Sequence, residues 1–203
     1  LSGPLWRMPG DESASTGLSD SMTPGDISKL SKSTAVAFRV DFEGPVPDNS
    51  DLYWRGPVLG LNMGRTWRAQ PVFPLPDGVA LDMKSEAPPV KYRVTLQPHN
   101  KPWLFALDMP KDVPKDALLF PDYQMRVRGA VTALRAYDVS SVLRFRAGST
   151  LSERERRENL ALYPGFNPRA LAYVRELKQQ FSDSKALIEH LMQRYNREFE
   201  YTL

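Results

Sequence analysis

Runs of alternating apolar and polar residues constrain this chain most, because side chains alternate between the two faces of a strand. Two runs are the clearest, with apolar residues at every second position: Val36, Phe38, Val40 and Phe42 in one, and Val90, Tyr92, Val94 and Leu96 in the other. Alternation of this kind is typical of half-buried strands. The chain also contains 18 prolines, which helix interiors and central strands exclude. The pattern therefore favours a loop-rich β domain over a helical bundle.

Four further segments are interpreted as containing strands. They are a hairpin around Asn62-Met63-Gly64, "WLFAL" at 103–107, "YQMRVRG" at 123–129 and "SSVLRFRAG" at 140–148. Gly64 can supply the positive φ that a tight turn requires. Seven or eight short strands separated by Pro- and Gly-containing turns predict an antiparallel β-sandwich or Greek-key barrel over residues 34–148.

A first helix is predicted after Gly148. Ser152 and Glu155 have the spacing of a capping box, and Pro164-Gly165 provides a stop signal. Two exposed ion pairs are expected at i,i+4 spacing, Glu153 with Arg157 and Arg154 with Glu158.

Two more helices are predicted downstream. The second begins with Asn167 as N-cap and Pro168 at the first helical position, and the third begins at Asp183. Their apolar stripes comprise Leu171, Val174, Leu177 and Phe181 in the second helix and Leu187, Leu191 and Tyr195 in the third. The last residues alternate as if entering a strand at 199–203. We therefore interpret residues 149–203 as the helical beginning of an incomplete domain, residues 1–33 as an extended, loop-rich segment, and the fold class as α+β.

The polar stretch Thr16–Ser33 resembles a ligand loop only superficially. Its glycines lack P-loop spacing, no Lys follows Gly25, and Met22 and Pro24 occupy positions where a calcium loop needs oxygen ligands. Asp20 and Asp26 can instead bond to nearby backbone N–H groups. We expect a capped loop pinned by Leu18, Ile27 and Leu30 that runs over the β domain.

No catalytic, cofactor-binding or metal-binding residue is assigned. The chain lacks Cys, so thiolate chemistry and disulfides within it are excluded. His99 lies in a turn and His190 in a helix, and neither belongs to a nucleophile motif. Two carboxylate pairs could in principle act as acid and base, Asp108 with Asp112 and Asp116 with Asp122, but no spacing rule selects either.

Partner classes are restricted by charge and apolar content. A net charge of +3 with scattered Lys and Arg does not indicate nucleic acid, and no run approaches the ~20 apolar residues of a membrane span. The opening residues "LSGPLWRMPG" lack signal-peptide features and suggest a cut within a longer protein. Five aromatic residues could form a sugar-stacking surface, although each lies within or at the edge of an apolar strand pattern and core packing explains them better: Tyr53, Trp54, Trp67, Trp103 and Phe105.

Four strings, in order, carry a family resemblance: "PGDISKLSKSTAVAFRVDFEG" at Pro24–Gly44, "LYWRGPVL" at Leu52–Leu59, "GRTWR" at Gly64–Arg68 and "KPWLFALDMP" at Lys101–Pro110. Together they resemble bacterial transglutaminase-like membrane proteins of the TgpA type. Residues 167–203 are similar to the helical lead-in of the transglutaminase-like core in that family.

The resemblance implies a periplasmic region of an inner-membrane protein, in which a β domain precedes a core with a Cys-His-Asp triad. A thiolate would attack a glutamine carboxamide, and an amine or water would resolve the thioester. No residue here matches the triad, and His190 precedes the expected nucleophile. The chain is thus expected to be soluble, inactive alone, and a partner of the remaining core and of a periplasmic protein or peptide substrate. Two other hypotheses remain open: a stand-alone β-sandwich module that binds protein or glycan, and a carboxylate-based hydrolase.

Overall fold

Strands precede helices along the chain, as the α+β class predicts. The computed structural model describes residues 19–24, 35–76, 79 and 81–200. Within them, antiparallel strands occur between residues 21 and 147 and three helices between 153 and 198. The predicted α+β class with an antiparallel, β-rich first part is confirmed. The division at residues 33/34 and 148/149 stays a prediction.

The strands form several small sheets. They are β1 (Ser21–Met22), β2 (Phe38–Phe42), β3 (Trp54–Arg55), β4 (Leu61–Asn62), β5 (Trp67–Arg68), β6 (Met83–Ser85), β7 (Val90–Leu96), β8 (Trp103–Leu104), β9 (Ala106–Leu107), β10 (Met109–Asp112), β11 (Ala117–Leu119), β12 (Met125–Val127), β13 (Arg135–Val142) and β14 (Phe145–Ala147). The largest sheet has the order β10-β13-β7-β2, and two three-stranded sheets have the orders β11-β12-β8 and β1-β5-β4. Two strand pairs complete the set, β14-β6 and β3-β9.

The four-stranded sheet buries one face, as the alternation in β7 predicts. Tyr92, Val94 and Leu96 lie in the core, whereas Lys91 and Arg93 face solvent. Because β2 and β13 flank β7 in register, their inward residues meet those of β7 on the same face. The alternating apolar residues therefore identify the face of the sheet on which the core lies.

The segment "WLFAL" lies against that face and is buried on both of its sides. It was predicted as one strand, but it forms β8 and β9 with Phe105 between them, each pairing with a different neighbour. Two tyrosine hydroxyls meet its backbone. Tyr137 Oη accepts from Phe105 N and donates to Phe105 O, both at 2.9 Å, and Tyr92 Oη accepts from Leu107 N at 2.7 Å. These bonds satisfy backbone groups that would be costly to bury unpaired.

Burial also changes the acidity of these two tyrosines. It raises the pKa of Tyr92 to about 12, although hydrogen bonds from Ser141 and Leu107 oppose the shift. It likewise raises the pKa of Tyr137. Both hydroxyls therefore remain protonated at physiological pH and serve as hydrogen-bonding groups.

The predicted strands omit β6, β10 and β11, and the last predicted strand was placed too far along the chain. β13 covers residues 135–142, of which only the last three belong to the predicted strand at 140–148. Leu143 and Arg144 then separate β13 from β14, which pairs with β6. Alternation in β13 is masked because Ser140 and Ser141 are buried beside Val142.

The predicted hairpin around Asn62-Met63-Gly64 is present as β4 and β5. Met63 N donates to Thr66 O, Asn62 Oδ1 accepts from Gly64 N at 2.8 Å, and Gly64 has a φ of 90°. β1 pairs with β5 on its other side.

The helices are α1 (Glu153–Asn159), α2 (Pro168–Gln180) and α3 (Ser184–Glu198). The capping box of Ser152 and Glu155 is present, and so is Asp183 as N-cap of α3, with Asp183 Oδ2 accepting from Ala186 N. Asn167 occupies the N-cap of α2, but its side chain makes no capping bond.

Two details of the helices differ from expectation. Helix α1 ends at Asn159, five residues before the predicted stop at Pro164. None of its residues is buried, so tertiary packing does not stabilise further helical turns. Arg154 pairs with Glu158 as predicted, but the carboxylate of Glu153 meets Arg156 instead of Arg157.

Candidate interaction surface

The segment between α1 and α2 contacts the β4–β5 hairpin at one glycine. A Cβ placed on Gly64 would lie 2.8–2.9 Å from the ring of Phe166, well inside van der Waals contact. The phenyl ring therefore rests directly on the Gly64 backbone. Gly64 is needed both for its positive φ and for this close approach.

A groove of about 820 Å³ opens beside this contact, and we call it the junction groove. Its principal side chains are cationic or aromatic: Arg65, Phe166, Arg169, Tyr173, Arg194, Tyr195 and Phe199. The Arg194 guanidinium lies 4.5 Å from the centre of the Tyr173 ring and pairs with Glu198 at 2.7 Å. Among the described residues neither Arg65 nor Arg169 has an ion-pair partner. The groove therefore favours contact with acidic and apolar groups.

The outer face of α3 is apolar and exposed. Three of its residues and the C-cap Phe199 follow i, i+4, i+7 and i+11 spacing and leave between 42% and 59% of their surface accessible: Ile188, Met192, Tyr195 and Phe199. We call this set the α3 outer stripe. The sequence predicted a buried stripe of Leu187, Leu191 and Tyr195, but Leu187 and Leu191 are half-buried and Tyr195 is exposed. In α2, only Leu177 of the predicted stripe is fully buried.

The candidate carboxylates each contact another side chain. Asp108 pairs with Arg55 at 3.1 Å, and Asp112 accepts a hydrogen bond from Ser140 at 2.5 Å. Asp116 pairs with Arg135, and Asp122 accepts from Gln124. Each carboxylate therefore has its own structural contact. Within the parts of the chain that are described, no three His, Asp or Glu side chains lie close enough to hold a metal ion.

The two histidines lie in separate places. His190 is in α3, with its ring 4.9 Å from that of Phe181. His99 is in the β7–β8 turn, where its Nε2 lies 3.1 Å from Trp103 O. Because a carbonyl only accepts, Nε2 donates, and the buried Nδ1 then lacks a described partner. Burial lowers the pKa of His99, and the bond to Trp103 opposes the shift only partly.

The lowered pKa of His99 predicts acid sensitivity. Between its folded and unfolded pKa values the unfolded chain binds more protons, so the free energy of unfolding falls as pH drops below about 6.5. We expect His99→Gln to flatten this dependence in urea unfolding between pH 7.5 and 5.5, with His190→Gln as the control for losing an imidazole elsewhere. An unchanged slope in His99→Gln would contradict the assignment.

The five candidate sugar-stacking aromatics do not form a platform. Trp103 and Phe105 are buried, and Trp54 packs edge-on against Phe38 and Tyr92. Only Tyr53 is exposed, and Arg55 lies over its ring at 5.6 Å. Core packing therefore accounts for Trp54, Trp103 and Phe105 better than a ligand surface does.

The described part of the N-terminal stretch runs along the hairpin, as predicted. Residues 21–22 pair with β5, and Asp20 O accepts from Ala69 N at 3.0 Å. Thr23 and Thr66 share a hydroxyl hydrogen bond of 2.9 Å. The predicted contributions of Leu18, Asp26, Ile27 and Leu30 lie outside the described residues.

The fold and this surface define a class of protein: an α+β unit of small antiparallel sheets whose terminal helices present arginines and apolar side chains. The model of the TgpA N-terminal domain family matches residues 1–147. The chain belongs to this family. No helix in the described ranges is long and apolar enough to cross a membrane.

Comparisons with individual proteins agree with this membership. A protein-glutamine gamma-glutamyltransferase of Pseudomonas aeruginosa is 41% identical over 204 residues, covering 99% of this chain but 30% of that protein. The crystal structure of the periplasmic domain of TgpA from P. aeruginosa matches with a TM-score of 0.83 and 39% identity, covering 92% of this chain and 65% of that one. A second structure of that domain, bound to ethylmercury, has a TM-score of 0.80 at 39% identity, covering 90% of this chain and 64% of that one.

Two predictions from the resemblance are thereby confirmed, the family and the periplasmic location. The chain spans less than a third of the curated relative and less than two thirds of the crystallised domain. The contact between Gly64 and Phe166 was missed, because nothing in the sequence links two residues about 100 positions apart.

Proposed function

We propose that this chain is the non-catalytic N-terminal portion of a periplasmic transglutaminase-like protein, and that its β-rich part supports the catalytic part or helps position the substrate. The relative's name indicates acyl transfer from protein glutamine. Such chemistry proceeds through a thioester on a Cys thiolate. This chain contains no Cys, so the nucleophile of that reaction would lie outside these 203 residues.

The α3 outer stripe is the observation that carries the proposal. Exposed apolar side chains in one contiguous row are typical of a surface that another element covers. The matched crystallised domain is longer than this chain. The additional residues of such a domain are candidates for the element that covers the stripe. Arg65 and Arg169 of the junction groove add cationic groups to the same end of the helices.

The first test is amine incorporation. A fluorescent primary amine and a glutamine-rich acceptor protein are incubated with this chain, and separately with a chain extended to the length of the crystallised domain. We expect product only from the longer chain, and loss of product when its nucleophilic Cys is replaced. Incorporation by this chain alone would overturn the proposal.

A second test addresses the covered surface in the extended chain. Met192→Glu places a charge in the outer stripe, whereas Gln193→Glu adds the same charge at the exposed position beside it. We expect Met192→Glu to lower the free energy of unfolding by about 1–3 kcal/mol, because an unpaired charge would be buried. Gln193→Glu should stay within about 0.5 kcal/mol. Equal effects of the two variants would show that nothing covers the stripe.

A further inference from the structure

A second groove lies in the β-rich part and is chemically unlike the junction groove. It has a volume of about 360 Å³ and is bounded by the chain around Leu75, Leu81 and Met83 on one side and by β10 and β11 on the other. Its lining is aliphatic, Pro or Met, except for Lys111. We call it the aliphatic groove. Its volume lies within the roughly 300–1,000 Å³ range of small-molecule sites.

Lys111 faces this groove because of a β-bulge. In the β10–β13 ladder Pro110 pairs with Ser141 and Asp112 pairs with Ser140, so Lys111 is an extra residue without a partner in β13. A bulge of this kind redirects a side chain away from the regular alternation. Lys111 is thereby exposed at a wall that is otherwise apolar.

The carboxylates near Lys111 in sequence are engaged elsewhere. Asp112 accepts the hydroxyl hydrogen of Ser140, and Asp116 pairs with Arg135. Among the described residues, the Lys111 ammonium has no ion-pair partner. Among the described lining residues, Lys111 is therefore the one charged side chain at a largely aliphatic wall.

The backbone at the edge of β11 does not favour a peptide. Ala117 N already donates to Pro114 O at 2.9 Å, and Leu119 O already accepts from Leu75 N at 2.7 Å. A peptide added as a strand relies on such groups for main-chain hydrogen bonds. An aliphatic chain needs none and gains from burial of its methylene groups.

We propose that the aliphatic groove binds an unbranched aliphatic chain ending in a carboxylate, with the methylenes against Leu81 and Leu118 and the carboxylate at Lys111. The proposal does not depend on the function of the junction groove. It rests on the aliphatic lining, the bulge and the complementary charge of Lys111.

The test is a titration of the whole 203-residue chain with decanoate below its micelle concentration, followed by calorimetry and by amide chemical shifts. We expect saturable one-to-one binding with shifts centred on β11. Lys111→Gln should weaken binding about tenfold through loss of the charge-assisted hydrogen bond. Lys115→Gln is the matched control, because it removes an exposed neighbouring lysine that does not line the groove.

A second amphiphile and a further variant test the roles of the charge and of the apolar lining separately. Decyltrimethylammonium, which has the same chain and the opposite charge, should not bind saturably. Leu118→Asp should abolish decanoate binding while circular dichroism retains the native signal. Equal binding of both amphiphiles, equal loss in the two lysine variants, or absence of saturable decanoate binding would overturn the proposal. Saturable binding of an extended leucine-rich peptide in place of decanoate would overturn it as well.

Discussion

Replacing Leu107 with Ala is expected to lower the free energy of unfolding by about 2–5 kcal/mol. Leu107 has no exposed surface and belongs to the main core cluster. Its backbone is held on both sides, by pairing with Trp54 and by the Tyr92 hydroxyl. The segment therefore cannot move to fill the cavity that Ala would leave. Urea unfolding monitored by tryptophan fluorescence measures the change.

Leu134→Ala is the control for this core variant. Leu134 lies in the same β-rich part but is 62% exposed, so its truncation should change stability by less than about 0.5 kcal/mol. A domain is stable by only about 5–15 kcal/mol. The loss expected for Leu107→Ala is a large fraction of that stability, whereas the loss expected for Leu134→Ala is a small one. Similar losses in both variants would contradict the assignment of Leu107 to the core.

Replacing Gly64 with Ala is expected to be more destabilising than the same change at Gly129. The two glycines have nearly the same φ, 90° and 93°, so the backbone strain of an Ala is similar at both. At Gly129 a Cβ would meet nothing within 4 Å, whereas at Gly64 it would collide with Phe166. The difference between the two variants, about 1–3 kcal/mol, measures the steric contribution alone.

A double-mutant cycle isolates this contact. In a Phe166→Ala background the additional loss at Gly64 should disappear, and the two glycine variants should become equivalent. Amide exchange near residue 166 should also increase in Gly64→Ala, because the ring has to leave the hairpin. If the excess loss persists without Phe166, the contact does not explain the requirement for glycine.

Local patterns predicted the regular parts of the fold. The alternation at 38–42 and 90–96 identified two adjacent strands and their buried face. When every second residue is apolar, only one face of the strand can be turned toward the core. Capping signals at Ser152 and Asp183 placed two helix starts correctly, since a cap depends on neighbours three residues away. The ordered family strings indicated the family and its compartment.

Other elements depended on contacts that a linear pattern does not contain. β13 escaped prediction because Ser141 is buried by its hydrogen bond to Tyr92, and hydropathy alone gives no reason to bury a serine. "WLFAL" divides at Phe105 because the Tyr137 hydroxyl forms hydrogen bonds with both the N–H and the C=O of that residue. In each case a polar group is satisfied by a residue far away in sequence.

The candidate surfaces show the same division. The sequence by itself determined that no thiolate chemistry occurs within this chain, that its strands are antiparallel and that its helices follow them. Only the tertiary structure decided that Phe166 rests on Gly64, that the α3 outer stripe is exposed, and that a bulge directs Lys111 into an aliphatic groove. The physical reason is that periodicity and capping are local properties of the chain, whereas close approach and charge pairing arise only when distant segments meet.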